Sequence, residues 1–186
     1  MLCNYAALRE AGFGNVSQAR QATEEAIKIA PASQGIGVGA ALTFAMVGDT
    51  VRAESLEQDL ARRFPLDTQI QSVWLPTIDA QLALVRKKPA AAIDRLQAAA
   101  PMEFGYIPFT NGVSCLYPVY VRGEAYLAAG SGSAAAGEYQ KILDHRGIIW
   151  KLRDPGRSRF SDSRAPMPWR RAQTRESQPT LPASGL

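Results

Sequence analysis

Cysteine and histidine are almost missing from this chain of 186 residues, which carries only Cys3, Cys115 and His145. The two cysteines stand far apart without a C-x-x-C spacing, so they read as free thiols of a reducing compartment, and a metal site is not expected. Long apolar runs are missing too. The longest, residues 35–48, has 14 residues, where a membrane-spanning helix needs about 20. The opening MLCNYAALREAG lacks a basic stretch followed by an apolar core, so no secretory signal is expected. A cytoplasmic chain, or a piece of one, is the expectation.

Catalytic signatures are also lacking. There is no GxxxxGK[ST] loop, no kinase lysine with HRD and DFG motifs, and no GxSxG elbow. The glycines of GIGVGA at 35–40 superficially suggest a nucleotide loop. A dinucleotide fingerprint, however, has its third glycine one residue later, after a strand. Here a helix is expected before the segment, and the segment itself reads as the start of another. His145 stands beside Asp144 in LDHRG with no nucleophile nominated for it. It reads instead as a cation at a helix C-terminus, where the helix dipole favours positive charge. Arg86, Lys87 and Lys88 read as a solvated turn. Neither enzymatic activity nor a cofactor or small-molecule substrate is expected.

The formal net charge of +4 is unevenly placed. Residues 1–150 hold 13 Lys and Arg against 14 Asp and Glu, a net −1, whereas residues 151–186 hold 8 against 3, a net +5. That last stretch also contains five of the twelve prolines and shows no helical spacing of apolar residues. Such a composition buries too little surface to offset its ordering entropy, so 150–186 is expected to be a disordered basic tail. A frameshifted reading of what were once further helices is a special case of that expectation. An electrostatic tether to nucleic acid or to an anionic membrane is the competing functional reading.

What the chain does have is a period. Gly14, Ala19 and Pro31 are followed 34 residues later by Gly48, Ala53 and Pro65. That interval suits a helix–turn–helix unit that buries its apolar face only against its neighbours. Small residues allow paired helices to approach, and proline ends the second helix. Asn15 is a plausible cap for one second helix and Asp49 or Thr50 for the next. In the third unit Lys87 replaces the turn glycine, Pro76 sits in the first turn of one helix and Pro89 opens the other. The spacing stretches to 39 residues before Ala92 and to 43 before Ala135. Four units are expected, at about 4–31, 34–65, 70–101 and 115–145, with a loop at 102–114.

On these residues the stretch 5–149 resembles tetratricopeptide repeats. The runs FPLDTQIQSVWLPTIDAQLAL, LYPVYVRGEAYL and YQKILDHRGI are similar to the C-terminal repeat region of bacterial serine/threonine protein kinases with tetratricopeptide tails. The resemblance implies an all-α, right-handed superhelical solenoid over 1–149, with no kinase machinery in this chain. In that family further helices follow the HRGI run, and here they do not, which suggests a fragment with an uncapped last unit prone to self-association.

The same resemblance implies a non-catalytic scaffold whose first helices line a concave groove for a protein or peptide partner. Carried over by position, the groove is formed by Asn4, Leu8, Val38, Leu42, Trp74, Thr77, Gln81, Tyr117, Tyr120 and Glu124. Tryptophan and tyrosine are favoured anchors in such surfaces. An equally open alternative is that Trp74 and Tyr117 pack between units. The lysine, asparagine and arginine of the family's carboxylate clamp are not at the groove positions, so recognition of chaperone C-termini is not implied. A sensor arm of a kinase whose catalytic domain lies outside this chain is the alternative function.

Overall fold

The computed structural model describes residues 2–104 and 116–145. The tail expected at 150–186 and most of the loop expected at 102–114 lie outside the described residues. Among those described the chain is all-helical, with no strand. Eight α-helices follow one another: α1 (Leu2–Gly12), α2 (Val16–Ile29), α3 (Gln34–Met46), α4 (Thr50–Arg63), α5 (Leu75–Val85), α6 (Pro89–Leu96), α7 (Tyr117–Ala128) and α8 (Gly132–Asp144). A π-helical turn, Ile70–Trp74, leads into α5, and a 3-10 turn, Ala100–Met102, follows α6.

The helices form four hairpins, α1–α2, α3–α4, α5–α6 and α7–α8, that pack in chain order. Each first helix lies on the next first helix, and each second helix also touches the first helix of the hairpin after it. One turn geometry closes all four hairpins. Gly14, Gly48, Lys87 and Gly130 adopt φ of 78°, 79°, 58° and 80°. The N–H of the residue after each reaches a carbonyl five residues back: Asn15 to Glu10, Asp49 to Phe44, Lys88 to Ala83 and Ser131 to Tyr126, all at 2.8–2.9 Å. This left-handed stop satisfies the carbonyls that a helix C-terminus would otherwise leave unpaired.

Five residues after each turn residue comes an alanine, and Ala19, Ala53, Ala92 and Ala135 are each 0% exposed. The intervals of 34, 39 and 43 residues are therefore intervals between equivalent places in successive hairpins. Pro31 and Pro65 follow Ala30 and Phe64, which leave helical geometry at φ −148° and −126°. The proline ring clashes with a helical preceding residue, so each second helix ends there. Asp49 caps α4 by accepting from the Arg52 N–H at 3.4 Å. Asn15 precedes α2 without capping it, because its carboxamide donates instead to Glu10 Oε2 at 2.6 Å.

Close approach is achieved differently at the two ends. Between α1 and α3, Gly39 leaves room for the Asn4 carboxamide, which donates to the Gly35 carbonyl at 3.0 Å. Between α7 and α8, the Tyr139 ring lies against Gly123. A buried ion cluster fastens this last hairpin to the segment after α6. Arg122 Nη2 reaches Glu103 Oε1 and Oε2 at 2.9 and 2.8 Å and Glu138 Oε2 at 2.7 Å. Lys141 completes the charge balance by reaching Glu138 Oε1 at 2.8 Å. Burial works against the Arg122 charge, but the Glu138 and Glu103 carboxylates outweigh it and hold the guanidinium pKa up. Burial likewise opposes the Glu138 charge, and Arg122 and Lys141 reverse it, holding that carboxyl below the usual range.

Candidate functional site

Six residues expected to line a groove are core residues. Asn4, Leu8, Val38, Leu42, Trp74 and Thr77 are at most 2% exposed and present no surface to a partner. The cause is the stacking. Helix α3 is covered by α1, α2, α4 and α5, and α5 meets α3, α4, α6 and α7. Little circumference is left to such a helix. Leu8, Val38, Leu42 and Trp74 accordingly join Ile70, Val73 and Ile78 in one apolar cluster. The indole N–H of Trp74 is buried there without an acceptor among the described residues, an arrangement that costs about 1–3 kcal/mol relative to a satisfied donor.

The other four groove positions, Gln81, Tyr117, Tyr120 and Glu124, are half-buried. Three of them, Tyr117, Tyr120 and Glu124, share α7, which packs on α5, the helix that carries Gln81. Tyr117 and Tyr120 are one helical turn apart on α7, with ring centroids 6.4 Å apart and planes at 76°. Their edge-to-face contact is the arrangement aromatic quadrupoles favour. Tyr120 also meets Tyr139 of α8 at 6.3 Å. The Tyr139 hydroxyl donates to Glu124 Oε1 at 2.6 Å, which fixes the carboxylate beside Tyr120.

Tyr5 of α1 joins this group although the sequence did not nominate it. It is half-buried, and its phenol stands near enough to Tyr117 for ionisation of one to oppose that of the other. Burial raises the phenol pKa of Tyr5, Tyr117 and Tyr120 above the ordinary value. All three therefore stay neutral at physiological pH, and Glu124 supplies the negative charge. The face is thus aromatic and hydroxylated, with one carboxylate at its edge.

A cleft of about 480 Å3 opens between α2, α3 and α4, with Ile27, Phe44, Val51 and Leu56 in its walls. Arg52 already spans it. Its guanidinium sits 5.1 Å from the Phe44 ring centroid, bonds Glu24 Oε1 at 2.8 Å and approaches Asp49 at 3.5 Å. Apolar contact and charge are both satisfied within the chain.

A third cluster joins two hairpins. Glu57 of α4 hydrogen-bonds Asp79 of α5, and Asp79 also takes the Arg95 guanidinium from α6. Burial, the Asp79 charge and that hydrogen bond push the Glu57 carboxyl up to about 7, against the opposing pull of Arg95. Near neutral pH the Glu57 carboxyl is therefore only partly ionised. No helix among the described residues is long and apolar enough to cross a membrane. Comparison with protein-family models, with curated proteins and with solved structures gives no match to this chain.

Proposed function

We propose that the chain is a non-catalytic protein–protein interaction scaffold of the tetratricopeptide type, a right-handed solenoid whose first helices carry the partner-binding face. One observation supports the class above the others. Gly14, Gly48, Lys87 and Gly130 share one left-handed turn, and each is followed after five residues by a buried alanine in hairpins packed in chain order. An array of this kind gains stability between neighbours and leaves an extended surface for recognition. In keeping with its sequence resemblance, we place it as the repeat-bearing end of a bacterial signalling protein of the serine/threonine kinase kind.

The binding face is narrower than the sequence implied. It comprises Tyr5, Gln81, Tyr117, Tyr120 and Glu124, backed by the buried residues that hold these helices together. A photo-crosslinking residue at Gln81, in the full chain expressed in its native cells, should capture a discrete partner. The same residue at exposed Gln58 on α4 should not. Equal capture at both positions, or none at Gln81, would refute the assigned face.

A further inference from the structure

Among the described residues one cation, Arg95, serves two carboxyls where the second hairpin meets the third. Glu57 of α4 hydrogen-bonds Asp79 of α5, and Asp79 is paired with Arg95 of α6. A hydrogen bond between two carboxyls needs a proton on one of them, because an ionised carboxylate only accepts. Arg95 already holds the Asp79 carboxylate, so Glu57 is the donor.

No other charge among the described residues is placed to stand in for that proton. Helix α4 packs against α3, α5 and the π-helical turn. The α3 sequence QGIGVGAALTFAM and the turn IQSVW carry no charged side chain, and α5, LPTIDAQLALV, carries Asp79 alone. From α6, Arg95 acts on Glu57, and Asp94 is exposed. On α4 itself Glu54 is bound to Arg86, and Asp59 to Arg62 and Arg63. Ala53 and Leu60, one turn to either side of Glu57, are buried, so Glu57 lies on the packed side of its helix.

We propose that the Glu57–Asp79 bond is a proton-operated hinge: with the proton the second and third hairpins close on each other, and without it α4 parts locally from α5. Two like charges facing each other in a half-buried joint repel more than they would in water. A single guanidinium is left to balance both. The apolar contact beneath the hinge is indifferent to pH, since Leu42 of α3 and Ile78 and Leu82 of α5 share one cluster. Opening on the α4 side alone therefore bends the array without severing it.

The neighbouring joints are built from opposite charges. Between the first and second hairpins Arg52 meets Glu24 and Arg20 meets Asp49. The last hairpin is held through Arg122 by Glu103. The response is thus confined to one joint.

The test is hydrogen exchange of the full chain, read by mass spectrometry, with parent and Glu57→Gln compared at about pH 6 and about pH 8.5. Glutamine keeps a donor for Asp79 at both values. Because the two chains are compared at one pH, the intrinsic pH dependence of exchange cancels. At the lower pH they should exchange alike. At the higher pH the α4 and α5 amides of the parent should exchange about tenfold or more faster than those of the variant, as release of one proton favours the opening. Amides of α1 and α8 should differ by less than about twofold. Asp79→Asn removes the facing charge and should protect α4 in the same way, which keeps the outcome decisive if Glu57→Gln loses helix by circular dichroism.

Equal exchange of α4 in parent and Glu57→Gln at the higher pH would overturn the hinge. The same difference at both pH values would overturn it as well, because the proton would then have no part in it. Uniform acceleration through all eight helices would replace a local opening by a loss of global stability, and the hinge would fail on that result too.

Discussion

Asn4 and Gly39 occupy each other's space: a Cβ built on Gly39 would stand 2.1 Å from Asn4 Oδ1. The carboxamide is 2% exposed and donates to the Gly35 carbonyl one turn earlier on α3. The contact between the first two hairpins therefore depends on a missing side chain on one helix and a buried polar group on the other. Gly39→Ala should destabilise the chain by about 1–3 kcal/mol through overpacking, despite the better helix propensity of alanine. Asn4→Ala in the same chain should recover much of that loss, a coupling that denaturant titration of both single variants and the double variant would measure. Additive losses would show that the two side chains do not interact.

Lys87 pays for its place in the third turn, because φ of 58° crowds a side chain that the glycines of the other three turns do not have. Lys87→Gly should raise stability by about 1 kcal/mol, and Gly48→Ala should lower it by a similar amount. Thermal or urea unfolding followed by circular dichroism reads both changes. A destabilised Lys87→Gly would mean that the lysine side chain contributes more than its backbone strain costs.

These two positions also show how far the sequence could be read. Gly14, Gly48, Ala19 and Ala53 are legible because a turn that needs positive φ and a contact that needs a small residue each restrict the residue type. Lys87 was found by its place in the third unit, just before Pro89 and five residues before Ala92. The groove positions on α1, α3 and α5 were not separable from the core, for a physical reason. In α3, QGIGVGAALTFAM, the residues from Val38 to Ala45 are buried without interruption. A helix covered on nearly all sides has no polar stripe to mark its open side. The ion cluster was illegible for another reason. Glu103 lies in a stretch that reads as loop, and nothing in the spacing of residues 103, 122 and 138 links them. The π-helical turn before α5 left no mark in the sequence either.

Arg122 stands between two carboxylates that are themselves buried, Glu103 at 3% and Glu138 at 7% exposure. Arg122→Met should therefore cost about 3–5 kcal/mol, since it leaves negative charge in the interior without its partner. Arg52→Ala, which removes an exposed arginine paired with Glu24 on the outer cleft, should cost far less, because solvent screens that pair. Urea unfolding of the two variants gives the comparison. Similar small losses would show that Glu103 and Glu138 find water when the guanidinium is removed.

Glu57 makes the joint between the second and third hairpins sensitive to pH. Its folded-state pKa is raised to about 7 from the ordinary value of 4.5, chiefly by burial and then by Asp79, with Arg95 opposing. The folded chain thus holds a proton that the unfolded chain has released between those two values. Linkage then requires stability to fall as pH rises across that window: the contribution is fully present below the unfolded pKa and is lost through the folded one. The melting temperature should decline between about pH 5 and about pH 8 by more than the other titrating groups explain. Glu57→Gln keeps the shape and supplies a permanent donor to Asp79, so it should flatten that decline and be the more stable chain at the upper end. Asp79→Asn removes the charge that Glu57 faces and should flatten it as well, at the cost of weakening the hold on Arg95. An unchanged slope in Glu57→Gln would place the dependence elsewhere in the molecule.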